Sequence, residues 1–299
     1  MFEELGDQLA LARAWRLVAQ AHYLGRRLRL CAEASERAYE HVRLAGDRFE
    51  QREIVEWLVI ALLLGPTPAT EAARRCERLL AENRTEPLLE AQILGAMAPL
   101  LLMQGRVAEA DELVARVRSI MEDAGERVWI VSFWCAFVDI WQGEPTAAEH
   151  ELRPGYEALK EIGEKSHFSS LAHALATAVY MLGRYEEAEQ VARECEEASR
   201  PNDVHSHVLW RSTRAKVLAR RGEFEAAERL GRDAVAFASS SDLVVAHADA
   251  LMDLAEVLCL ADDRAAAREA VEEAIRYFEL KGNVYAAGQA LNRLQELAP

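Results

Sequence analysis

Five large aromatic side chains, Trp129, Phe133, Trp134, Phe137 and Trp141, fall within a short apolar stretch. On a helix advancing about 100° per residue, Phe133 and Phe137 lie about 40° apart, and Ile140 and Trp141 return near them. Trp134 points about 100° away, where it can serve the core. One packing stripe does not need so many rings. Phe133, Phe137 and Trp141 are therefore expected to form an exposed apolar patch, the kind of surface that binds ligands. The competing expectation is that long helices bury these rings between layers. Catalytic patterns are missing by contrast. There is no G-x-x-x-x-G-K-[ST] phosphate loop, no G-x-G-x-x-G after a strand and no G-x-S-x-G elbow. Asp203, His205 and His207 (DVHSH) would share a side of an extended segment as metal ligands, but a third ligand is distant, so a polar loop is the reading preferred. Glu186-Glu187 fits a solvated helix face rather than a catalytic carboxylate pair. A non-enzyme without cofactor or metal is expected.

The elements that must hold the aromatic residues repeat. Tyr180–Val191 (YMLGRYEEAEQV) joins the end of one amphipathic helix to the start of another, with Gly183 supplying the permissive turn. The phrase returns at Gly105, Gly143 and Gly222, degrades at Asp262, and is looser at Gly25 and Gly65. Successive intervals are 40, 40, 38, 40, 39 and 40 residues. So constant a period marks a repeat protein.

Composition fits that reading. In 299 residues the hydrophobic fraction is 51%, enough for a continuous core, while 15 Gly and 8 Pro are too few for a turn-rich sheet protein. A net charge of −15 argues against nucleic acid and anionic membrane as partners. Cys31, Cys76, Cys135, Cys195 and Cys259 share no metal-type spacing and read as small buried residues in a reducing compartment. The longest apolar run, Ile54–Leu64, is short and carries Glu56, too little for a span of about 20 residues. A cytoplasmic location follows as an expectation.

The opening FEELGD (Phe2–Asp7) reads as the end of a repeat's second helix, with Phe2–Leu5 a stub lacking its packing partner. Stacked repeats need polar caps, so this chain is expected to continue a longer protein on its N-terminal side. The repeats are expected over about 9–46, 50–84, 88–124, 127–163, 168–199, 205–240 and 243–281, with a polar, solvated cap over 284–297. In the second repeat the first helix is expected from Arg52, and Thr67 or Thr70 is expected to cap the helix after it. Pro99 is expected to bend its helix. Each repeat is expected to touch only its neighbours, and open ends would allow oligomers.

The turns resemble the tetratricopeptide repeat. Ala176, Gly183, Tyr185 and Ala188 match that family's small residue, glycine, aromatic and alanine, as do Ala215, Gly222, Phe224 and Ala227. Val107, Pro145 and the pair Asp262 and Arg264 depart from the pattern, and the period exceeds the family's value of about 34. A second resemblance rests on FEELGD, GPTP, LWRSTRAKVLARRGEFEAAERL, ALMDLAEVLCLADD and LKGN. These segments look like the C-terminal helical region of large bacterial signalling proteins similar to the maltose-regulon activator. There an ATPase module is joined to an adenylate cyclase or a LuxR-type DNA-binding domain. The resemblance implies an all-α, right-handed superhelix of about seven helix-turn-helix units. It also implies a concave face lined by first helices.

Carried over, the concave positions are Trp15, Ala19 and His22, then Val55, Val59 and Leu62. Phe133, Phe137 and Ile140 follow, with Trp141 adjacent, then His173, Thr177 and Tyr180, then Ser212, Lys216 and Ala219, and finally Met252, Glu256 and Cys259. An aromatic middle flanked by His173, Lys216 and Arg220 would suit a protein or peptide partner, or a small effector with an apolar body and an anionic end. Substituting Phe137 by Ala would then weaken binding far more than folding. The resemblance implies a sensor regulating an attached ATPase, cyclase or transcription regulator. A free-standing scaffold for a peptide or protein partner is the alternative.

Overall fold

The computed structural model describes residues 6–83, 86–124, 129–201 and 203–298. The expected stub at Phe2–Leu5 lies outside them. Fifteen α-helices and no strand occur among the described residues. Seven hairpins follow one another: α1 (Gln8–Leu24) and α2 (Leu28–Ala45), α3 (Arg48–Leu64) and α4 (Ala69–Glu82), α5 (Pro87–Met103) and α6 (Val107–Ala124), α7 (Trp129–Gln142) and α8 (Pro145–Ile162). Then come α9 (Ser166–Met181) and α10 (Tyr185–Ala198), α11 (Val204–Arg220) and α12 (Phe224–Ser239), α13 (Val244–Leu260) and α14 (Arg264–Lys281), and last α15 (Val284–Glu296). The chain is an all-α helical-repeat superhelix. No helix is long and apolar enough to cross a membrane among the described residues.

Each first helix packs on its own partner, on the partner before it and on the first helices to either side. That explains the contrast between the two kinds of helix. In α5, Ala91 to Met103 is buried without interruption, because a helix enclosed on every side must be apolar all round. In α10 the buried apolar residues form one stripe, Ala188, Val191, Ala192 and Cys195, at spacings of three and four, with Glu189 buried beside it. Ala188 is fully covered. Ala188→Leu should therefore overpack this junction and cost roughly 1–3 kcal/mol in chemical denaturation; unchanged stability would count against the register. Cys31, Cys76, Cys135 and Cys195 are buried and unpaired, and burial pushes the Cys31, Cys76 and Cys195 thiols up to about 12.

Four local expectations need correction. Helix α3 begins at Arg48 rather than Arg52, because Asp47 accepts a hydrogen bond from the Glu50 amide at 2.9 Å and caps it. Neither Thr67 nor Thr70 caps α4, whose N-cap is Pro68, with no side-chain bond. The left-handed turn residue is glycine at Gly105, Gly143, Gly183 and Gly222, but in the first hairpin it is Arg26, at φ 64°, and not Gly25. Gly65 is extended, so the Gly65–Pro68 turn uses other geometry. Pro99 falls inside α5, where the sequence placed it, and the helix continues to Met103.

The largest departure is that the superhelix closes on itself. Lys281, at the end of α14 and 1% exposed, donates to the carbonyls of Leu62, Gly65 and Thr67 at 2.7, 2.8 and 2.8 Å. These carbonyls lie at the C-terminal end of α3 and the turn after it, where helix carbonyls lack internal donors and a cation is favoured. Asp242, before α13, accepts from the amides of Leu28 and Arg29 at 2.5 and 3.0 Å, which cap the start of α2. The α2 N-cap, Arg27, makes no side-chain bond of its own. An anion thus sits at one helix N-terminus and a cation at another's C-terminus, each supplied from the far end of the chain. Contacts are not confined to neighbouring repeats, contrary to the simple stacking expectation.

Candidate functional site

Closure leaves a narrow bore lined by first helices. A cavity of ≈ 220 Å³ lies between α7, α9, α11 and α13, and six of the eight residues proposed from the sequence line it: Phe137, Trp141, His173, Thr177, Tyr180 and Lys216. Arg220 lines a neighbouring cavity of ≈ 510 Å³, and Phe133 lines neither. A third cavity, ≈ 140 Å³, lies towards α15 and α5. Met252 borders all three.

The exposed aromatic patch is not there. Phe133 is 1% and Phe137 7% exposed, and only Trp141 is half-buried. The angular count allowed for two packing neighbours, but α9 and α11 bring His173 and His205 over the rings as well. Phe133 meets Trp134 and Phe137 at 4.7 Å between centroids and His173 at 5.3 Å. His173 and His205 meet each other at 5.1 Å. Burial, and for His173 also its neighbour His205, holds both imidazoles below their ordinary range, His205 at about 4. In the first two repeats Ala19, Val55, Val59 and Leu62 are fully buried core and closed to ligand, while Trp15 and His22 are half-buried.

The basic flank is also not free. Lys216 is 5% exposed, pairs with Asp253 at 2.6 Å and lies 4.7 Å from the Tyr180 ring centre. Arg220 donates to Glu256 at 2.7 Å and to the Tyr180 hydroxyl at 3.0 Å, and that hydroxyl donates to Glu256 at 2.6 Å. An anion entering the bore would meet cations already neutralised by the acids of α13, so the expected anionic end of the ligand has no waiting partner. Asp249 and Asp253 were missed by sequence reasoning. The signal was present, since Asp249, Asp253 and Glu256 recur at spacings of four and three and share one helix face.

The other motifs fall into structural roles. Asp203 caps α11 through the Ser206 amide at 3.1 Å. Because α11 begins at Val204, His205 and His207 sit two helical positions apart and diverge, so the extended geometry for joint ligation does not occur. His207 accepts from the Trp210 indole at 3.2 Å. The guanidiniums of Arg211 and Arg214 lie 4.0 and 5.5 Å from the Trp210 ring centre, within cation–π range. Helix α15 is more than a solvated cap: Tyr285, Ala286 and Gln289 wall the ≈ 140 Å³ cavity, and Gln289 donates to the Trp141 carbonyl at 3.4 Å.

The fold and its bore define the class, a tetratricopeptide-like helical-repeat protein. By sequence, no family model and no curated protein matches the chain. Among solved structures it is similar to a Rap protein complexed with Competence and Sporulation Factor, with 13% identity and a TM-score of 0.64 over 99% of this chain and 86% of that one. It is similar also to NprR in complex with its cognate peptide NprX, at 14% identity, TM-score 0.62, and 97% and 84% coverage. A tetratricopeptide repeat protein from Parabacteroides merdae matches at 13% identity and TM-score 0.50, over 96% of this chain and 99% of that one. At these identities the likeness is one of fold.

Proposed function

We propose that this chain is a non-catalytic sensor that binds a peptide in the bore of its superhelix and regulates a signalling module to which it is attached. The observation that carries the reading is the bore itself. Four first helices converge there on a partly polar, partly aromatic cavity of ≈ 220 Å³ with adjoining lobes along its length. Support comes from the similar NprR structure, which holds its cognate peptide. The attached module, an ATPase, a cyclase or a transcription regulator, rests on the sequence resemblance alone.

The test is a displayed peptide library selected on the whole chain, followed by titration of the best peptide. Thr177 lines the cavity and is only partly buried, so Thr177→Phe should fill the bore at modest cost to folding. Affinity should fall at least about tenfold, with helical circular dichroism retained. Equal affinity for both proteins would place the peptide elsewhere.

A further inference from the structure

Three side chains, Trp141, Asp249 and Met252, border both the ≈ 220 Å³ cavity and the ≈ 140 Å³ cavity and so form the neck between them. Of the three acids on the inner face of α13, two are matched: Asp253 by Lys216 and Glu256 by Arg220. Asp249 has no hydrogen-bond or ion-pair partner among the described residues. A second polar group on the same cavity is also unsatisfied, since His173, 1% exposed, leaves its Nε2 without a partner. An unpaired carboxyl beside an indole is the arrangement that holds an organic cation. The carboxylate supplies an ion pair, the indole an aromatic neighbour that attracts cations, and Met252 a polarisable apolar wall.

We infer that the neck formed by Trp141, Asp249 and Met252 is a subsite for a cationic group, an alkylammonium or guanidinium carried by the peptide that the bore receives. This deepens the peptide-binding reading and rests on it. It also reverses the sign expected from Lys216 and Arg220, which are taken by acids of their own.

The free carboxyl should couple binding to pH. Burial, and then the neighbouring Asp253, push Asp249 up to about 8, with Lys216 opposing. The titratable groups around it are Lys216 on α11, Asp253 and Glu256 on α13, His173 and Tyr180 on α9, and Tyr285 on α15. Below about pH 8 Asp249 is mainly protonated in the empty bore, so a bound cation must displace that proton. Affinity for a cation should therefore rise from pH 6 to pH 8 and release a proton into the buffer.

The probes are 2-phenylethylammonium and its size-matched anionic counterpart 3-phenylpropionate, titrated calorimetrically into the whole chain at pH 6 and pH 8. Two buffers of different ionisation enthalpy report the proton. The cation should bind at least about tenfold more tightly than the anion, and more tightly at pH 8. Asp249→Asn, similar in shape, should abolish both the preference and the proton release while helical circular dichroism is kept. Equal or tighter binding of the anion, or a cation preference that survives in Asp249→Asn, would overturn the subsite. So would absence of cation binding to the wild-type chain at 10 mM. None of these outcomes would touch the peptide reading, which the Thr177→Phe titration decides separately.

Discussion

Lys281→Met should lower the stability of the chain by about 3 kcal/mol, although Lys281 lies more than 200 residues from the groups it holds. The side chain is essentially sealed from solvent and gives three hydrogen bonds to carbonyls that no other donor is shown to satisfy. Methionine fills similar volume but leaves those acceptors unpaired, and below about pH 7, where Lys281 is an ammonium with three donors, each charge-assisted bond lost costs about 1.5–3 kcal/mol. Relief from burying an ammonium offsets part of this, which keeps the net below the sum. Urea denaturation measures the loss, and amide exchange should rise in the α3–α4 turn and at the end of α14. A change under about 0.5 kcal/mol would show that the Lys281 bonds contribute nothing to stability.

The same lysine carries a pH signature. Burial pushes its ammonium from 10.5 down to about 7. The unfolded chain then binds more protons than the folded chain between about pH 7 and 10.5, so this group makes the folded state more stable as pH rises through that window. The stability difference between wild type and Lys281→Met should widen from pH 7 to pH 10. A constant difference would mean that the clasp does not titrate there.

Phe133→Ala should cost about 3–5 kcal/mol and leave the bore chemically intact. The ring is 1% exposed, stands among Trp134, Phe137, His173 and His205, and lines none of the three cavities. Truncation removes a large buried surface and opens a void that the surrounding helices can close only in part. Phe137 differs because it lines the cavity as well as the core, so Phe137→Ala should weaken both binding and folding. The contrast is measured by denaturation of the two variants beside titration of the selected peptide. A Phe133→Ala protein of nearly native stability would mean that the ring is not core.

The repeat was legible because its signals are local. A glycine at φ near 80° at Gly143 and Gly222 is a demand of the backbone, and the stripe at Ala188, Val191, Ala192 and Cys195 follows from helix geometry. Six bore residues could be placed together because first helices follow one another at a fixed period. Closure was not legible. Lys281 reads locally as part of a helix stop and Asp242 as a loop residue, and nothing nearby in sequence names partners near Leu62 or Leu28. That same blindness misplaced Phe133 and freed Lys216 of its partner, because the covering groups, His205 and Asp253, come from later repeats. Asp249 was hidden for a different reason: an acid on an acidic chain looks solvated until its helix is seen to face inward.

The claim on which the rest depends is that the bore receives the ligand. The most direct measurement is hydrogen–deuterium exchange of the chain with and without the selected peptide, resolved helix by helix. The account predicts new protection in α7, α9, α11 and α13, centred on the turns bearing Trp141, Thr177, Lys216 and Met252. Protection confined to the outer helices α8, α10 and α12, with those four unchanged, would contradict it.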